Sequence, residues 1–228
     1  MIIYIAIFKM IRLFFIALFP FLLSWSQNSF DANGLRDGQW FGLHENGQIK
    51  YNGQFKNGIE FGVFKYYDYD GNLVVNLDYV EPGIKSHATI YSSSGLINSK
   101  GIYLNKKKDG LWTQYSNSGS IVSKESYVGG VLNGQSLYYY DNGYVSEKYH
   151  YSNNLKNGLS EIFYKSGFVS VRCIYFNNQL NGISEYYYDK SNQLESTGKY
   201  TKGVKDSVWI FFNELGDTLK VVDYSTLD

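Results

Sequence analysis

The sequence contains very little cysteine, proline, methionine or histidine. Its 228 residues include one cysteine, two prolines, two methionines and three histidines. A single cysteine excludes an intramolecular disulfide framework. The histidines, His44, His87 and His150, are too far apart to form a metal-site motif. The formal net charge is zero, which argues against binding to nucleic acid, since that requires a dominant positive field.

In place of these residues, the chain is rich in tyrosine and glycine and repeats itself. Eight copies of a pattern about 24 residues long follow position 36. We number positions in a unit as offsets from its first residue, offset 0. The units begin at Asp37, Phe61, Lys85, Asp109, Asn133, Asn157, Asn181 and Asp206. Repeats of this length bury their apolar faces only by stacking, so the pattern predicts an array of units without a single catalytic cleft.

Each unit has the pattern of a β-hairpin. Offset 10 is glycine in seven units, usually after Asn, Asp or Ser, and lies between segments rich in Tyr, Val and Ile. A three-residue loop ending at that glycine pairs offsets that sum to 18. This register predicts offsets 6, 12, 16 and 18 on one face. The other face is predicted to carry the tryptophans of offset 3 (Trp40, Trp112, Trp209) together with the basic residues of offset 15.

The segments between hairpins are too short for a crossover helix, so consecutive hairpins are expected to lie side by side. The predicted fold is therefore all-β. It is an elongated antiparallel meander of tandem β-hairpins, about sixteen strands in a twisted open sheet. Cys173, at offset 16, is expected to be a small buried side chain rather than a reactive thiol.

Residues 1–26 differ from the rest. Two basic residues, Lys9 and Arg12, precede an apolar run that ends near Ser26, a pattern typical of a secretory signal peptide. Met10 is an alternative start. The prediction is an exported chain, periplasmic, in the outer envelope or secreted; the alternative is an uncleaved N-terminal membrane anchor. Residues 27–36 are a short polar lead-in. Without the leader, the chain has 19 basic and 21 acidic residues, which gives a net charge of −2.

The repeat units resemble those of the bacterial variant of the MORN family. The similarity is clearest from Asp109-Gly110-Leu111-Trp112 to Gly119, followed by Ile121 and Tyr127, and it covers residues 37–228. It departs most in unit three, which has Lys85-Ser86-His87-Ala88. The resemblance implies tandem hairpins that bind proteins or associate with membrane lipids. Many such proteins are labelled toxin–antitoxin antitoxins, which implies an inhibitor of a partner protein.

Two groups of residues are candidates for an interaction surface. The first is a basic column at offset 15, made of Lys100, Lys124, Lys148 and Arg172. On one face it is suited to an anionic polymer, headgroup or acidic partner, although lysine on exposed strands also discourages aggregation. The second is a tyrosine group suited to a protein or glycan, although cross-strand packing also explains it. This group consists of Tyr138, Tyr140, Tyr164, Tyr186 and Tyr188.

No pattern indicates catalysis, a metal or a cofactor. Asp68 to Asn72 is similar to the start of a calcium loop, but Tyr79 stands where the bidentate acid is required. Glu161 and Glu185 share offset 4, and repetition explains them better than a catalytic carboxylate pair.

The sequence therefore predicts a non-enzymatic exported scaffold that binds another protein or an envelope component across units four to seven. The alternatives are a membrane-surface or glycan-binding module that uses the basic column, and an antitoxin-like inhibitor of a partner protein. The oligomeric state is left open.

Overall fold

In a computed structural model, residues 27–225 form one open antiparallel sheet of 19 strands, which pair in the order of the chain. The predicted all-β meander of tandem hairpins is confirmed. The strands are β1 (Ser29–Phe30), β2 (Arg36–Leu43), β3 (Ile49–Lys56), β4 (Ile59–Tyr67), β5 (Leu73–Glu81), β6 (Lys85–Tyr91), β7 (Ile97–Leu104), β8 (Lys107–Tyr115), β9 (Ile121–Val128), β10 (Val131–Tyr139), β11 (Val145–Ser152), β12 (Leu155–Lys156), β13 (Gly158–Phe163), β14 (Val169–Phe176), β15 (Gln179–Leu180), β16 (Gly182–Tyr187), β17 (Leu194–Thr201), β18 (Val204–Phe212) and β19 (Thr218–Asp223). The short strands β12 and β15 are bridged, because β11 pairs with both β12 and β13, and β14 pairs with both β15 and β16. The predicted signal peptide lies outside the described residues.

The strand count exceeds the predicted sixteen for two local reasons. Asn157 and Asn181 interrupt the first strands of units six and seven, which splits off the short strands β12 and β15. The third extra strand, β1, lies in the predicted polar lead-in, where Ser29 pairs with Asp37 of β2. The lead-in is therefore part of the sheet and supplies the first unit with a neighbouring strand.

Two kinds of turn connect the strands. Within unit one, the His44 N–H donates to Gln48 O over 2.8 Å, and Gly47, at φ +85°, ends the three-residue loop. This is the predicted loop, with glycine in the left-handed region. Between units five and six, a two-residue turn has both central residues at positive φ, Asn153 at 51° and Asn154 at 67°. Such turns match the twist of the flanking strands, and asparagine tolerates them.

Every hairpin also contains a β-bulge, which the sequence analysis did not predict. In unit five, Tyr139 pairs with Val145 but Tyr138 pairs with Glu147, so Ser146 has no partner residue. All eight hairpins shift register at this point, between offsets 5 and 6. Paired offsets therefore sum to 18 next to the loop and to 19 beyond it. Unit seven has one extra residue, so its sums are one higher and Gly198 takes the place of offset 16 there.

The bulge corrects the predicted faces, because a one-residue shift moves all following side chains to the other side of the sheet. Offsets 16 and 18 lie with offset 3, so the tryptophans share their face with Tyr149 and Cys173. Offsets 6 and 12 lie on the opposite side with offset 15. We call the first side the core face, defined by Trp40, Trp112 and Trp209. The second is the open face, defined by the basic column.

A single row of residues across the core face forms the centre of the fold. Offsets 3 and 16 alternate along it from strand to strand. In order the row consists of Trp40, Gly53, Phe64, Leu77, Ala88, Gly101, Trp112, Glu125, Ser136, Tyr149, Ser160, Cys173, Ser184, Gly198 and Trp209. Most of these side chains are buried, although the described residues form only one layer. Cys173 is among the buried residues, as predicted.

Large and small residues alternate in this row. Cβ atoms built on Gly53, Gly101 and Gly198 would overlap the rings of Phe64, Trp112 and Trp209, so each ring fills the space above a glycine. Where offset 3 is serine, its neighbour at offset 16 is larger, as with Ser184 and Cys173. Each indole also donates to a backbone carbonyl of the adjacent strand, as Trp112 Nε1 does to Ile102 O over 3.0 Å.

Candidate interaction surface

The four cations of the predicted basic column lie on the open face, one in the second strand of each of units three to six. Lys100 is exposed and Lys124 is partly exposed, with its ammonium 5.9 Å from the ring centroid of Tyr139. Neither has an ion pair among the described residues. The four cations share one face, as predicted, but the prediction that this is the face of the tryptophans is wrong, because the bulge moves offset 15 to the opposite side of the sheet. The two halves of the column also differ in charge environment.

Lys148 and Arg172 alternate with two glutamates. Lys148 Nζ lies 3.0 Å from Glu161, and Arg172 lies 3.4 Å from Glu161 and 3.3 Å from Glu185. The hydroxyl of Tyr187 donates to Glu185 over 2.7 Å. We call Lys148, Glu161, Arg172 and Glu185 the charge ladder. It balances two positive charges with two negative ones, so this half of the column is not a positive stripe.

The charge ladder also changes the titration of its central carboxylate. Desolvation alone would raise the pKa of Glu161, but hydrogen bonds and charge interactions with Lys148 and Arg172 outweigh it and lower the pKa. Glu161 therefore stays ionised at neutral pH. The same arrangement explains why Glu161 and Glu185 occur at equivalent positions, since each lies beside Arg172.

Three of the five predicted tyrosines connect successive units. The Tyr140 hydroxyl donates to Phe163 O over 2.7 Å, Tyr164 to Tyr187 O over 2.7 Å, and Tyr188 to Phe212 O over 2.9 Å. In unit one, His44 occupies the same offset, and its Nε2 lies 2.9 Å from Tyr67 O. These side chains fasten one hairpin to the next, which is a structural role for the tyrosines and for His44.

The other two predicted tyrosines lie on the core face. Tyr186 shares a hydrogen bond of 3.2 Å with the Tyr200 hydroxyl, and Tyr138 donates to Glu125 over 3.4 Å. Glu125 is buried and also accepts from Tyr127 over 2.9 Å. Burial and this hydrogen bond raise the pKa of Tyr127 to about 12. The structure thus separates the nine predicted surface residues into open-face cations, core-face tyrosines and tyrosines at the hairpin ends.

Sequence reasoning missed an aliphatic stripe beside the charge ladder. Leu159, Ile174 and Ile183 lie on adjacent strands of the open face and are 50%, 39% and 53% exposed. Leu159 and Ile174 are direct cross-strand partners. The signal was an aliphatic residue at offset 2 in five units, but the register without the bulge placed that offset on the buried side.

Sequence reasoning also missed a set of cations on the core face, at the position just before four of the eight units begin. Arg36 lies 4.8 Å from the ring centroid of Trp40, and Lys205 lies 4.1 Å from that of Trp209. The same contact occurs twice more. The Lys108 ammonium lies 4.5 Å from the ring centroid of Trp112, and the Lys156 ammonium lies 3.2 Å from that of Tyr149. These caps cover the buried row from the solvent side.

The segment from Asp68 to Asn72, which is similar to the start of a calcium loop, forms a turn. Asp68 accepts hydrogen bonds from the backbone of Asp70 and Asn72 at 3.0 and 2.8 Å, so the calcium-like segment is a side-chain-stabilised turn. Among residues 27–225, no three His, Cys, Asp or Glu side chains cluster as metal ligands. The same part of the chain has no helix long and apolar enough to cross a membrane.

Comparison with known proteins gives distant structural likenesses, among them two structures of TarM. No family model and no curated protein matches the chain. A crystal structure of TarM matches over 44% of this chain and 18% of its own, at 10% identity and a TM-score of 0.24. A mutant of S. aureus TarM, in complex with fondaparinux, alpha-GlcNAc-glycerol and UDP, matches over 53% of this chain and 19% of its own, at 9% identity and a TM-score of 0.26. The chain spans about a fifth of the length of these structures. The MORN resemblance stays a prediction.

Proposed function

We propose that this chain is a non-enzymatic repeat scaffold that binds a partner protein through the open face of units four to seven. The observation that carries the proposal is the aliphatic stripe of Leu159, Ile174 and Ile183 beside the charge ladder. Nothing among the described residues covers this surface. An exposed apolar strip bordered by polar groups is typical of protein interfaces.

The charge ladder favours a protein over an anionic lipid or glycan. An anionic polymer gains affinity from unbalanced cations, but Lys148 and Arg172 are already paired with Glu161 and Glu185. A protein surface can cover such a ladder without leaving a charge unpaired. Export, as predicted from residues 1–26, makes an envelope protein the first class of partner to test.

The second candidate function is association with an anionic glycan or headgroup. The observation that favours it is the pair of cations without ion pairs, Lys100 and Lys124. Their ammonium groups lie on the open face ahead of the charge ladder. Binding of this kind is screened by salt, because the attraction acts between exposed charges.

Crosslinking and pull-down from native envelopes test the two candidates together. If a protein binds the stripe, Ile183→Asp removes the captured partner, and the Lys100→Glu and Lys124→Glu double variant and raised salt have little effect. Val63→Asp is the matched control, because Val63 holds offset 2 in unit two and is similarly exposed. Capture that survives Ile183→Asp but is lost with the lysine variant or in salt would contradict the protein interface and support the anionic partner.

A further inference from the structure

The core face has one position where the repeated pattern of cationic caps is reversed. In units one, four, six and eight, the residue before the unit is Arg36, Lys108, Lys156 or Lys205, and each lies over an aromatic ring of the buried row. In units three, five and seven this residue is aliphatic, and in unit two alone it is acidic, Glu60. The ring of the buried row there is Phe64, and no described Lys or Arg caps it.

A cavity of about 220 Å³ opens at this position. Its walls are Tyr66, Leu77, Tyr79 and Tyr103, and Glu60 and Lys106 are at its charged end. The cavity lies where unit three departs from the repeat. Ala88 takes the place of a ring in the buried row, beside Leu77, and Ser86 replaces the usual glycine.

The carboxylate of Glu60 is held at the edge of the tyrosine walls. Its Oε2 accepts a hydrogen bond of 2.8 Å from the Tyr79 hydroxyl, and its side chain is only 19% exposed. The ammonium of Lys106 approaches the same oxygen at 3.5 Å from a turn, with its side chain 74% exposed. A partly buried carboxylate is therefore compensated by a cation that remains largely in solvent.

We propose that this cavity binds the ammonium group of a lysine side chain from a partner polypeptide. In the capped units the chain supplies its own cation to the rings. Here it supplies aromatic walls and a carboxylate, and its nearby cation, Lys106, is 74% exposed and contacts no ring among the described residues. Rings attract cations through their negative faces, and a nearby carboxylate adds charge and direction. The volume is below the range of about 300–1,000 Å³ that drug-sized ligands occupy, which suits one side chain. The cavity is on the opposite face from the charge ladder, so it is independent of the proposed function.

The test uses a capped Gly-Lys-Gly peptide and the same peptide acetylated on the lysine Nε, each titrated into the purified chain by NMR. We expect the charged peptide to saturate in the millimolar range and shift the resonances of Tyr66, Tyr79 and Tyr103. The acetylated peptide is expected to bind at least about tenfold more weakly, because it lacks the cation. Equal binding of both peptides, or no saturable binding of the charged one, would overturn the proposal.

Three variants separate this site from a general surface effect. Glu60→Gln is expected to weaken binding about tenfold or more, and its thermal unfolding midpoint checks that the fold is intact. Lys106→Asn is expected to tighten binding, because it removes the competing cation and Asn154 and Asn178 hold the equivalent turn position. Glu60→Lys introduces the cation that caps units one, four, six and eight, and we expect it to abolish binding without lowering the unfolding midpoint.

Two further outcomes would contradict the proposal. Weaker binding by Lys106→Asn would mean that Lys106 contributes to the site instead of competing for it. Butylammonium that binds as tightly as the peptide would indicate a small amine as the ligand and exclude the polypeptide occupant.

Discussion

The indole of Trp112 occupies the space into which a side chain at Gly101 would project. The two residues lie on adjacent strands of neighbouring units, and Trp112 is completely buried in this single-layered sheet. Trp209 has the same relationship to Gly198, and Phe64 to Gly53. In units with serine at offset 3, such as Ser184, the small residue is at offset 3 and the larger one is at offset 16 of the neighbouring strand. Large and small residues therefore exchange the two positions along the row.

This exchange predicts compensation between the two positions. We expect Trp112→Ser to destabilise the chain by about 3–5 kcal/mol, because it removes a buried ring, and Gly101→Cys to cost about 1–3 kcal/mol by overpacking. The double variant recreates the pair of Ser184 and Cys173. It should be more stable than the sum of the single effects, with a coupling energy of about 1–3 kcal/mol in a urea-unfolding double-mutant cycle. Additive effects would contradict the packing relationship.

Buried serines in the same row should be replaceable by alanine. The Oγ atoms of Ser136, Ser160 and Ser184 are buried without a hydrogen-bond partner among the described residues. Because an unsatisfied buried hydroxyl costs about 1–3 kcal/mol, we expect Ser160→Ala to be neutral or stabilising by about 1 kcal/mol. Ala88 holds the same offset in unit three and shows that the position accepts alanine. A loss of stability in urea unfolding would mean that the hydroxyl has a bonding role.

The tyrosines at the hairpin ends should contribute to stability. Tyr164→Phe removes the donor to Tyr187 O and keeps the ring, so we expect a loss of about 0.5–1.5 kcal/mol. Tyr144→Phe is the control, since Tyr144 is largely exposed at the end of the preceding hairpin. Urea midpoints at an unchanged slope provide the measurement. Equal effects of the two variants would indicate that the inter-unit hydrogen bond adds nothing.

The charge ladder predicts a dependence of stability on pH. The pKa of Glu161 is lowered from its usual 4.5 in the folded chain, so the unfolded chain takes up this proton first as the pH falls. The stabilisation is present above about pH 4.5 and is lost as the pH falls through the folded-state pKa. We expect Glu161→Gln to be less stable at neutral pH and to approach the parent chain in acid.

Unfolding midpoints between about pH 3 and pH 7 measure this difference. Glu214→Gln is the control, because Glu214 is exposed in the last hairpin loop. A difference between Glu161→Gln and the parent chain that is constant with pH would contradict the assignment.

Cys173 should be unreactive in the folded chain. Burial raises the pKa of its thiol to about 11, so the thiolate is a small fraction at pH 7.4 and the side chain is inaccessible. We expect maleimide labelling about a hundredfold or more slower than for a Ser152→Cys variant in a Cys173→Ala background, since Ser152 is exposed. Labelling in urea should recover the normal rate. Fast labelling under native conditions would contradict the burial of Cys173.

Several features of the molecule follow from the sequence alone because they depend on local chemistry. The glycines at offset 10 indicate a left-handed loop residue in seven of the eight hairpins, and the spacing of about 24 residues leaves room for two strands and two tight turns. The placement of Lys100, Lys124, Lys148 and Arg172 on one face also follows, since equal offsets in successive hairpins share a face. The hairpins, their order and the single sheet were therefore predictable.

The assignment of faces depended on the tertiary structure. One extra residue at offset 13 reverses the second strand relative to the loop, and that position holds Lys50, Asn98 or Ser146 without a common type. Pairing across strands decides such a bulge, because Trp112 must lie over Gly101 for its ring to be buried. The same is true of the charge ladder and the Glu60 cavity. Both arise where side chains from neighbouring units meet, at distances that the order of residues along one chain does not specify.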